Sequence, residues 1–564
     1  MSRASPARTA LAALAARLLP ALSVLVIAAL AAMLLLSLLV PMYTDEIGSK
    51  LHLSRMLVEG GRVVSLLPQC RSSWIQPVPV STLPAALYYH LVFLPLGLLG
   101  HKVSAIVLAF VWFGAAACAI ARRTKDRRTR LHAIASFAAL HAAGTVPFTL
   151  VTGRAEPTMA IALGIFAVFP LAWPIERLER LWQRALAAAA FCFVASLLYA
   201  SAFKALFFTP FVLLSAVLTF RRKLGWLAPV CAAVTATALQ TNSYAKTFIS
   251  CAEAPIVQAV LRSVSLDPGR AFREPGAFAK EGLGNLGGRA VDVADGMAIA
   301  APHPWLPPAT AEHLPEIVRL ADGLSRALLY ATMVGVPLLL IVAVVGARRR
   351  PEARATLALA AALLVGLGGH VFLAHHWNFY MTPLVVCVLA LVAAMSASTL
   401  RLPDRALFRA IPKASAAVLQ VAALAVMVTT LAHVGPHLVR VARLEGTVLP
   451  GQPAYVPALG FSAERPKIRA HAARCGIEGD GARRLVVDDA TIFAFEDLRE
   501  PLHLIYVTDA AMWGHDMPGE KNVALLRELG ARGIISRCSY FPTALEPKAK
   551  RDDGYCCVGA DDLR

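Results

Sequence analysis

Charge is what this sequence has least of. Asp, Glu, Lys and Arg make up 16% of its 564 residues, against 57% hydrophobic, too few ionisable groups to clothe a water-soluble chain of that size. Acids are scarcer than bases, 36 against 55, which leaves a net charge of +19. Short chemical motifs are missing as well. The ten cysteines include no CxxC pair and no zinc-like spacing, and there is no Walker A sequence, no GxGxxG ahead of a strand and no HExxH. These absences exclude a thioredoxin-like redox protein, a zinc-ribbon module, a P-loop ATPase and a zinc protease. No repeat recurs at solenoid periods, and no inverted-repeat pattern argues for a transporter.

What the chain has is apolar runs. Mean hydropathy is +0.60, and stretches of about 18 or more apolar residues, enough to span roughly 30 Å of hydrocarbon, recur through the first three-quarters of the chain. The pattern predicts a polytopic α-helical membrane protein. The basic residues come in short clusters between apolar runs, which is the positive-inside signature and not a nucleic-acid-binding face, so no nucleic acid is expected among the partners. Arg3, Arg8 and Arg17 precede an apolar run to Val40 that is too long for a signal-peptide core, so it reads as a retained first helix at about 18–41.

A polar first outer loop, 42–80, follows. The stretch 81–98 is read as an interfacial helix and 103–121 as a span, because two spans here would put the basic run Arg122 to Arg130 outside. Further spans are predicted at about 131–151, 157–173, 185–201, 205–220, 224–240, 326–346, 355–374, 379–396 and 414–434. The total is about eleven, with the N-terminus cytoplasmic and the C-terminus outside. The long outer loop, 241–324, is rich in Gly and Pro and carries Pro302-His303-Pro304-Trp305-Leu306-Pro307-Pro308, so no secondary structure is assigned to it. Residues 1–440 thus form a transmembrane domain, and 441–564 a small extracytoplasmic α/β domain. Within the latter, 484–487, 504–507 and 533–536 read as strands and 519–530 as a helix. Cys475, Cys538, Cys556 and Cys557 lie in this region, where one or two disulfides are expected, with the pairing open. Cys118, Cys192, Cys231 and Cys387 fall in apolar runs and read as small core residues.

Where charge is rare, each charge at the outer boundary is legible. Tyr43-Thr44-Asp45-Glu46 follows the first helix. Thr44 as an N-cap with two acids in the first turn would account for it structurally, since anions favour a helix N-terminus. The helix it would open, 46–59, separates Ile47, Leu51, Leu57 and Val58 from His52, Arg55 and Glu59, an interfacial amphipathic pattern. The functional reading is that a carboxylate in a partly dry site takes a proton from an alcohol. Arg154 and Glu156 sit in a short outer turn. They are either a surface pair of little consequence or a bidentate partner for phosphate beside an acid. Lys204 interrupts an apolar stretch with no acid nearby in sequence, which snorkelling alone would explain. His375-His376-Trp377-Asn378-Phe379-Tyr380 is an aromatic and histidine cluster at a span boundary. Adjacent histidines diverge and make a poor metal pair, so no metal is assigned. With His370 they would offer hydrogen bonds and a ring face to a sugar.

The order of these features resembles the GT-C superfamily of membrane glycosyltransferases, which take a sugar from a polyprenyl phosphate, such as the bacterial aminoarabinose, mannose and arabinose transferases. The residues that carry the resemblance are Asp45-Glu46 in the first outer loop, Pro77-Val78-Pro79 ahead of an interfacial helix, the Gly153-Arg154-Ala155-Glu156-Pro157 turn, and Phe379-Tyr380-Met381-Thr382-Pro383 opening a late span. The family's usual Pro-Pro-Leu is loosened here to Pro-Val-Pro-Val. The resemblance implies an inverting transfer from a polyprenyl-phosphate-linked hexose or pentose to a glycan, lipid or protein acceptor of the cell envelope, at the outer face of the bacterial inner membrane. It implies Asp45 as base with Glu46 as second acid, Arg154 and Lys204 on the donor phosphate with Arg55 a weaker candidate, and Glu156, His375, His376 and Tyr380 on the substrates. No cofactor is assigned, and a divalent cation is left open. An O-antigen polymerase or ligase shares the polytopic plan and one long outer loop, but needs neither the Asp-Glu pair nor the tail. A lipid or glycan transporter would carry charges or broken helices at mid-bilayer, which most spans lack.

The sidedness is testable. A reporter fused after residue 440 is expected to be active only outside the cytoplasm. A cytoplasmic signal there would invert the placement of every residue above.

Overall fold

The computed structural model describes residues 6–43, 62–64, 75–77, 83–96, 98–249, 265–299, 315–347, 350–400, 406–442, 455–456, 461–477, 484–488, 490–495, 502–504 and 519–563. The chain is a polytopic helical membrane protein. Among the described residues ten helical segments are long and apolar enough to cross a membrane: Leu18–Leu39, Lys102–Arg123, Ala155–Ala172, Leu181–Ser201, Phe203–Phe220, Leu224–Ser243, Glu316–Gly346, Pro351–Leu373, Phe379–Thr399 and Ala414–Ala442. The interfacial helix expected at 81–98 is Leu83–Leu96.

Two of the ten are central. Ala155–Ala172 is buried over 83% of its apolar window and Phe379–Thr399 over 78%, whereas Glu316–Gly346 is buried over 17% and exposes the rest. The buried pair carry Ala, Gly, Ser and Thr among larger residues, which lets neighbouring backbones approach where no hydrophobic drive separates protein from lipid. Polar side chains tie other spans together: Ser23 Oγ donates to Gln420 Oε1 at 3.0 Å, and Gln420 Nε2 donates to Ser136 Oγ at 3.0 Å.

The run 131–151 is not one span. It divides into Arg127–Ala139 and Val146–Leu150. Gly144 takes a left-handed φ of +50°, Thr145 donates its N–H across the fold to the Met297 carbonyl at 2.9 Å, and Pro147 opens the second piece. Inside a membrane a helix is broken only where another segment meets the freed backbone groups, and here that segment is the end of the Pro275–Met297 helix. That helix corrects a second expectation, because it lies inside the stretch 241–324 to which no structure was assigned. Its glycines lower intrinsic helix propensity, but a Cβ at Gly282 would collide with the Phe372 ring, so tertiary contact there replaces propensity. Arg270–Arg273 forms a further short helix. The motif Pro302 to Pro308 lies outside the described residues.

The tail carries a five-stranded sheet of order β6-β5-β7-β9-β8, formed by Leu485–Val487 (β5), Leu502–His503 (β6), Gly533–Arg537 (β7), Lys550–Asp552 (β8) and Tyr555–Gly559 (β9). The earlier strands are Met42–Tyr43 (β1), Arg62–Val64 (β2), Ile75–Pro77 (β3) and Tyr455–Val456 (β4). Strands β5, β6 and β7 are parallel to one another, and β9 runs antiparallel to β7. The strands predicted at 484–487 and 533–536 are present, as is the helix, found as Gly519–Glu528; the strand expected at 504–507 lies earlier, at Leu502–His503, and residues 505–507 lie outside the described residues. Strands β8 and β9 and the helix Phe461–Arg474 are additional. Adjacent strand residues face opposite sides of a sheet, so Cys556 and Cys557 on β9 bond different partners, Cys538 and Cys475. Cys118, Cys192, Cys231 and Cys387 are free. Met42 is fully buried in one of the two cores of the sheet, and β1 pairs antiparallel with β4.

The break at Gly144 yields a prediction. Gly144→Ala would place a Cβ against the Met297 carbonyl at a positive φ, and is expected to cost more than about 1 kcal/mol, read as a lower melting temperature in detergent. Gly114→Ala, mid-helix with open space around it, is expected to be neutral or to stabilise by up to about 1 kcal/mol.

Candidate active site

The two most buried helices both begin at one place. Arg154 is the N-cap of Ala155–Ala172, and Phe379-Tyr380-Met381 forms the tight turn that leads into Thr382–Thr399. Pro157 and Pro383 stand in the first turns, where a missing N–H breaks no helical hydrogen bond. The Arg154 guanidinium lies over the Tyr380 ring, 3.5 Å from its centroid. A planar guanidinium on an aromatic face is a favourable cation–π arrangement. Tyr380 is held from its other end, where Asn378 Nδ2 donates to its hydroxyl at 2.5 Å.

Lys204 enters from the six-residue 3-10 turn Phe203–Phe208. Its Nζ lies 3.9 Å from Glu156 Oε1, and both side chains are largely buried, 15% and 7% exposed. The Arg154 charge also acts on Lys204. Three ionisable side chains from two elements distant in sequence therefore share one buried patch at a helix N-terminus, where the backbone dipole adds positive potential. Glu156 Oε2 is buried and accepts no hydrogen bond from the described residues. His370, only 1% exposed, feels the Lys204 charge; both its ring nitrogens are buried without a hydrogen bond among the described residues, and its ring centroid is 6.5 Å from that of Trp377.

A second layer holds this group in place. Arg289, on the Pro275–Met297 helix, donates to the carbonyls of Ala374 and His375 at 2.6 and 2.7 Å and pairs with Asp292 at 2.6 Å. Its guanidinium sits 5.9 Å from the Trp377 ring, and Trp377 Nε1 donates to Thr382 Oγ1 at 3.3 Å. His375 Nε2 faces Glu281 Oε1 at 3.4 Å, and Glu281 in turn binds Arg270 at 2.9 Å.

Of the residues singled out in the sequence, Arg154, Glu156, Lys204 and Tyr380 come together. His375 is engaged with Glu281 instead, and His376 makes no hydrogen bond or ion pair among the described residues. Thr44, Asp45, Glu46 and Arg55 lie outside the described residues; the chain is followed to Tyr43. Arg289 was not anticipated, because it sits in a Gly-rich polar stretch where a charge carries no signal. Among the described residues no three His, Cys, Asp or Glu side chains meet as a metal site would require.

No protein-family model and no curated protein matches the chain. Solved structures similar to it include ArnT from Cupriavidus metallidurans bound to undecaprenyl phosphate, 12% identical at a TM-score of 0.44, with 95% of this chain and 97% of that chain covered. The archaeal oligosaccharyltransferase AglB from Archaeoglobus fulgidus, in complex with an inhibitory peptide and a dolichol phosphate, is 12% identical at a TM-score of 0.43, covering 91% of this chain and 69% of that one. Neither likeness identifies a residue or a substrate of this chain.

Proposed function

We propose that the chain is a membrane glycosyltransferase that moves a hexose or pentose from a polyprenyl-phosphate donor to a glycan, lipid or protein acceptor of the cell envelope, at the outer face of a bacterial inner membrane. The observation that carries this reading is the meeting of Arg154 and Lys204 at the N-terminus of a buried spanning helix. A cationic pair there suits an anion that arrives through lipid, and a phosphate on an isoprenoid tail is such an anion. A nucleotide sugar does not reach that face.

In this reading the acceptor hydroxyl attacks the anomeric carbon as the bond from that carbon to the phosphate oxygen breaks. The electron pair leaves with the phosphate, whose growing charge is met by Arg154 and Lys204, with Arg55 as a further cation. Asp45 takes the hydroxyl proton, and Glu46 is the second acid. A lipid phosphate is a good leaving group, so no acid has to protonate it. A single displacement inverts the anomeric centre. Tyr380 fixes the plane of Arg154. Glu156, with one oxygen on Lys204 and the other unused, accepts from a sugar hydroxyl, and His375 and His376 line the approach.

The test is turnover by purified protein with a panel of polyprenyl-phosphate sugars, following release of the lipid phosphate. Asp45→Asn is expected to lower the rate by about 10² to 10⁴-fold with donor binding intact; full activity would remove Asp45 from the mechanism. Arg154→Lys keeps the charge but loses the planar stack on Tyr380. It is expected to weaken donor binding by about tenfold, which is the measure of one charge-assisted contact of roughly 1.5 kcal/mol. Absence of release from every lipid-linked donor would overturn the reading itself.

A further inference from the structure

A second site lies at the other end of the same two buried helices. A cavity of about 100 Å³ opens where the C-terminal turns of Lys102–Arg123, Ala155–Ala172 and Phe379–Thr399 come together beside Phe137. Its walls are apolar, formed by side chains such as Ala116, Ala167, Leu171, Leu391 and Met395; only Arg123 and Ser398 among its lining residues are polar. It is remote from the Arg154 patch. Glu156 and Leu171 sit at opposite ends of one helix, and fifteen residues at 1.5 Å each separate them by roughly 22 Å.

An apolar cavity of this order does not hold water, which needs polar partners, and it takes up apolar molecules instead. Its rim carries charge. Arg123 is exposed at the mouth, and two neighbouring charges act on it, the Arg177 guanidinium and the Glu352 carboxylate. Two guanidiniums against one carboxylate leave a local surplus of one positive charge, and Arg122 beside them adds another. The shape is therefore a hydrocarbon slot under a cationic rim, in the last turns of spanning helices, where lipid headgroups lie.

We propose that this cavity is a binding site for an anionic phospholipid, with part of one acyl chain in the slot and the phosphate set between Arg123 and Arg177. The size fits a segment of one chain and not a folded peptide, and the positive surplus at the rim calls for an anionic headgroup. The site involves no residue of the transfer mechanism, so its fate and that of the proposed activity are separable.

The test uses the full-length protein in detergent, exposed to equal amounts of phosphatidylglycerol and phosphatidylcholine and read by native mass spectrometry. The wild type is expected to retain phosphatidylglycerol about tenfold over phosphatidylcholine, the measure of one charge-assisted contact. Arg123→Gln, at the exposed rim, is expected to abolish that preference. Ala167→Leu fills the slot and is expected to lower retention of both lipids. The melting temperature of Ala167→Leu is taken alongside, and if that variant is unfolded Arg123→Gln alone decides. Equal retention of the two lipids by the wild type, or an undiminished preference in Arg123→Gln, overturns the proposal.

Discussion

In lipid a backbone carbonyl or N–H that leaves its helix has no water to turn to, and each such group costs several kcal/mol unless protein supplies a partner. The interior of this chain is arranged by that constraint. Its helices end or break at 140–145, 151–154, 202–208 and 374–381, and the first and last of these places are met by residues of the stretch 265–299. Thr145 N–H finds Met297, Leu266 N–H finds Leu373, and Arg289 takes the carbonyls of Ala374 and His375. Broken helices expose N-termini, and N-termini draw polar side chains. Arg154, Glu156, Lys204 and Tyr380 share a patch because that is where the helices break.

How much of this the sequence discloses depends on how rare a residue is in its surroundings. Arg154, Glu156 and Lys204 are legible because apolar residues flank them, so a charge there demands a reason. Arg289 sits among Gly and Asp, where a charge is ordinary, and only the folded chain shows it gripping the turn that leads to Tyr380. His370 was legible as a hydrogen-bonding group but not as one whose two nitrogens are both unmet. Hydropathy is blind to breaks as well. The run 131–151 scores as continuous, and the signals of its interruption, Gly144 and Pro147, are single residues whose effect depends on Met297 standing opposite. The Pro275–Met297 helix was missed for the converse reason, since its glycines argue against a helix until Phe372 is seen to fill the space beside Gly282 and Thr382 that beside Gly296.

The tail shows the same division. Two of its parallel strands, β5 and β7, are short apolar runs of the kind that reads as buried strand and appear where expected, whereas β6 lies just ahead of the apolar run read as its strand. Strand β9, Tyr555–Gly559, contains two adjacent cysteines, and alternation alone gives them opposite faces and hence different partners. Nothing local discloses that β1, at the exit of the first helix, pairs with β4, since more than four hundred residues separate them. That pairing buries Met42 in a core of the tail and ties the tail to the stretch that leads directly into Asp45-Glu46.

The strongest physical argument for an anion at the Arg154 patch comes from how loosely Lys204 and Glu156 satisfy each other. Burying a lysine and a glutamate is costly, and only close, well-aligned hydrogen bonds offset that cost. At 3.9 Å Lys204 and Glu156 attract each other but do not hydrogen-bond, and Lys204 donates to no acceptor among the described residues. A pair kept only for stability would close that gap, since both side chains are long enough to do so. Arg154 adds a second positive charge to the same patch, so two cations and one carboxylate gather in a place that water hardly reaches. In the reading proposed above, a phosphate brought in on a lipid tail gives Lys204 the acceptor that Glu156 is too far away to be.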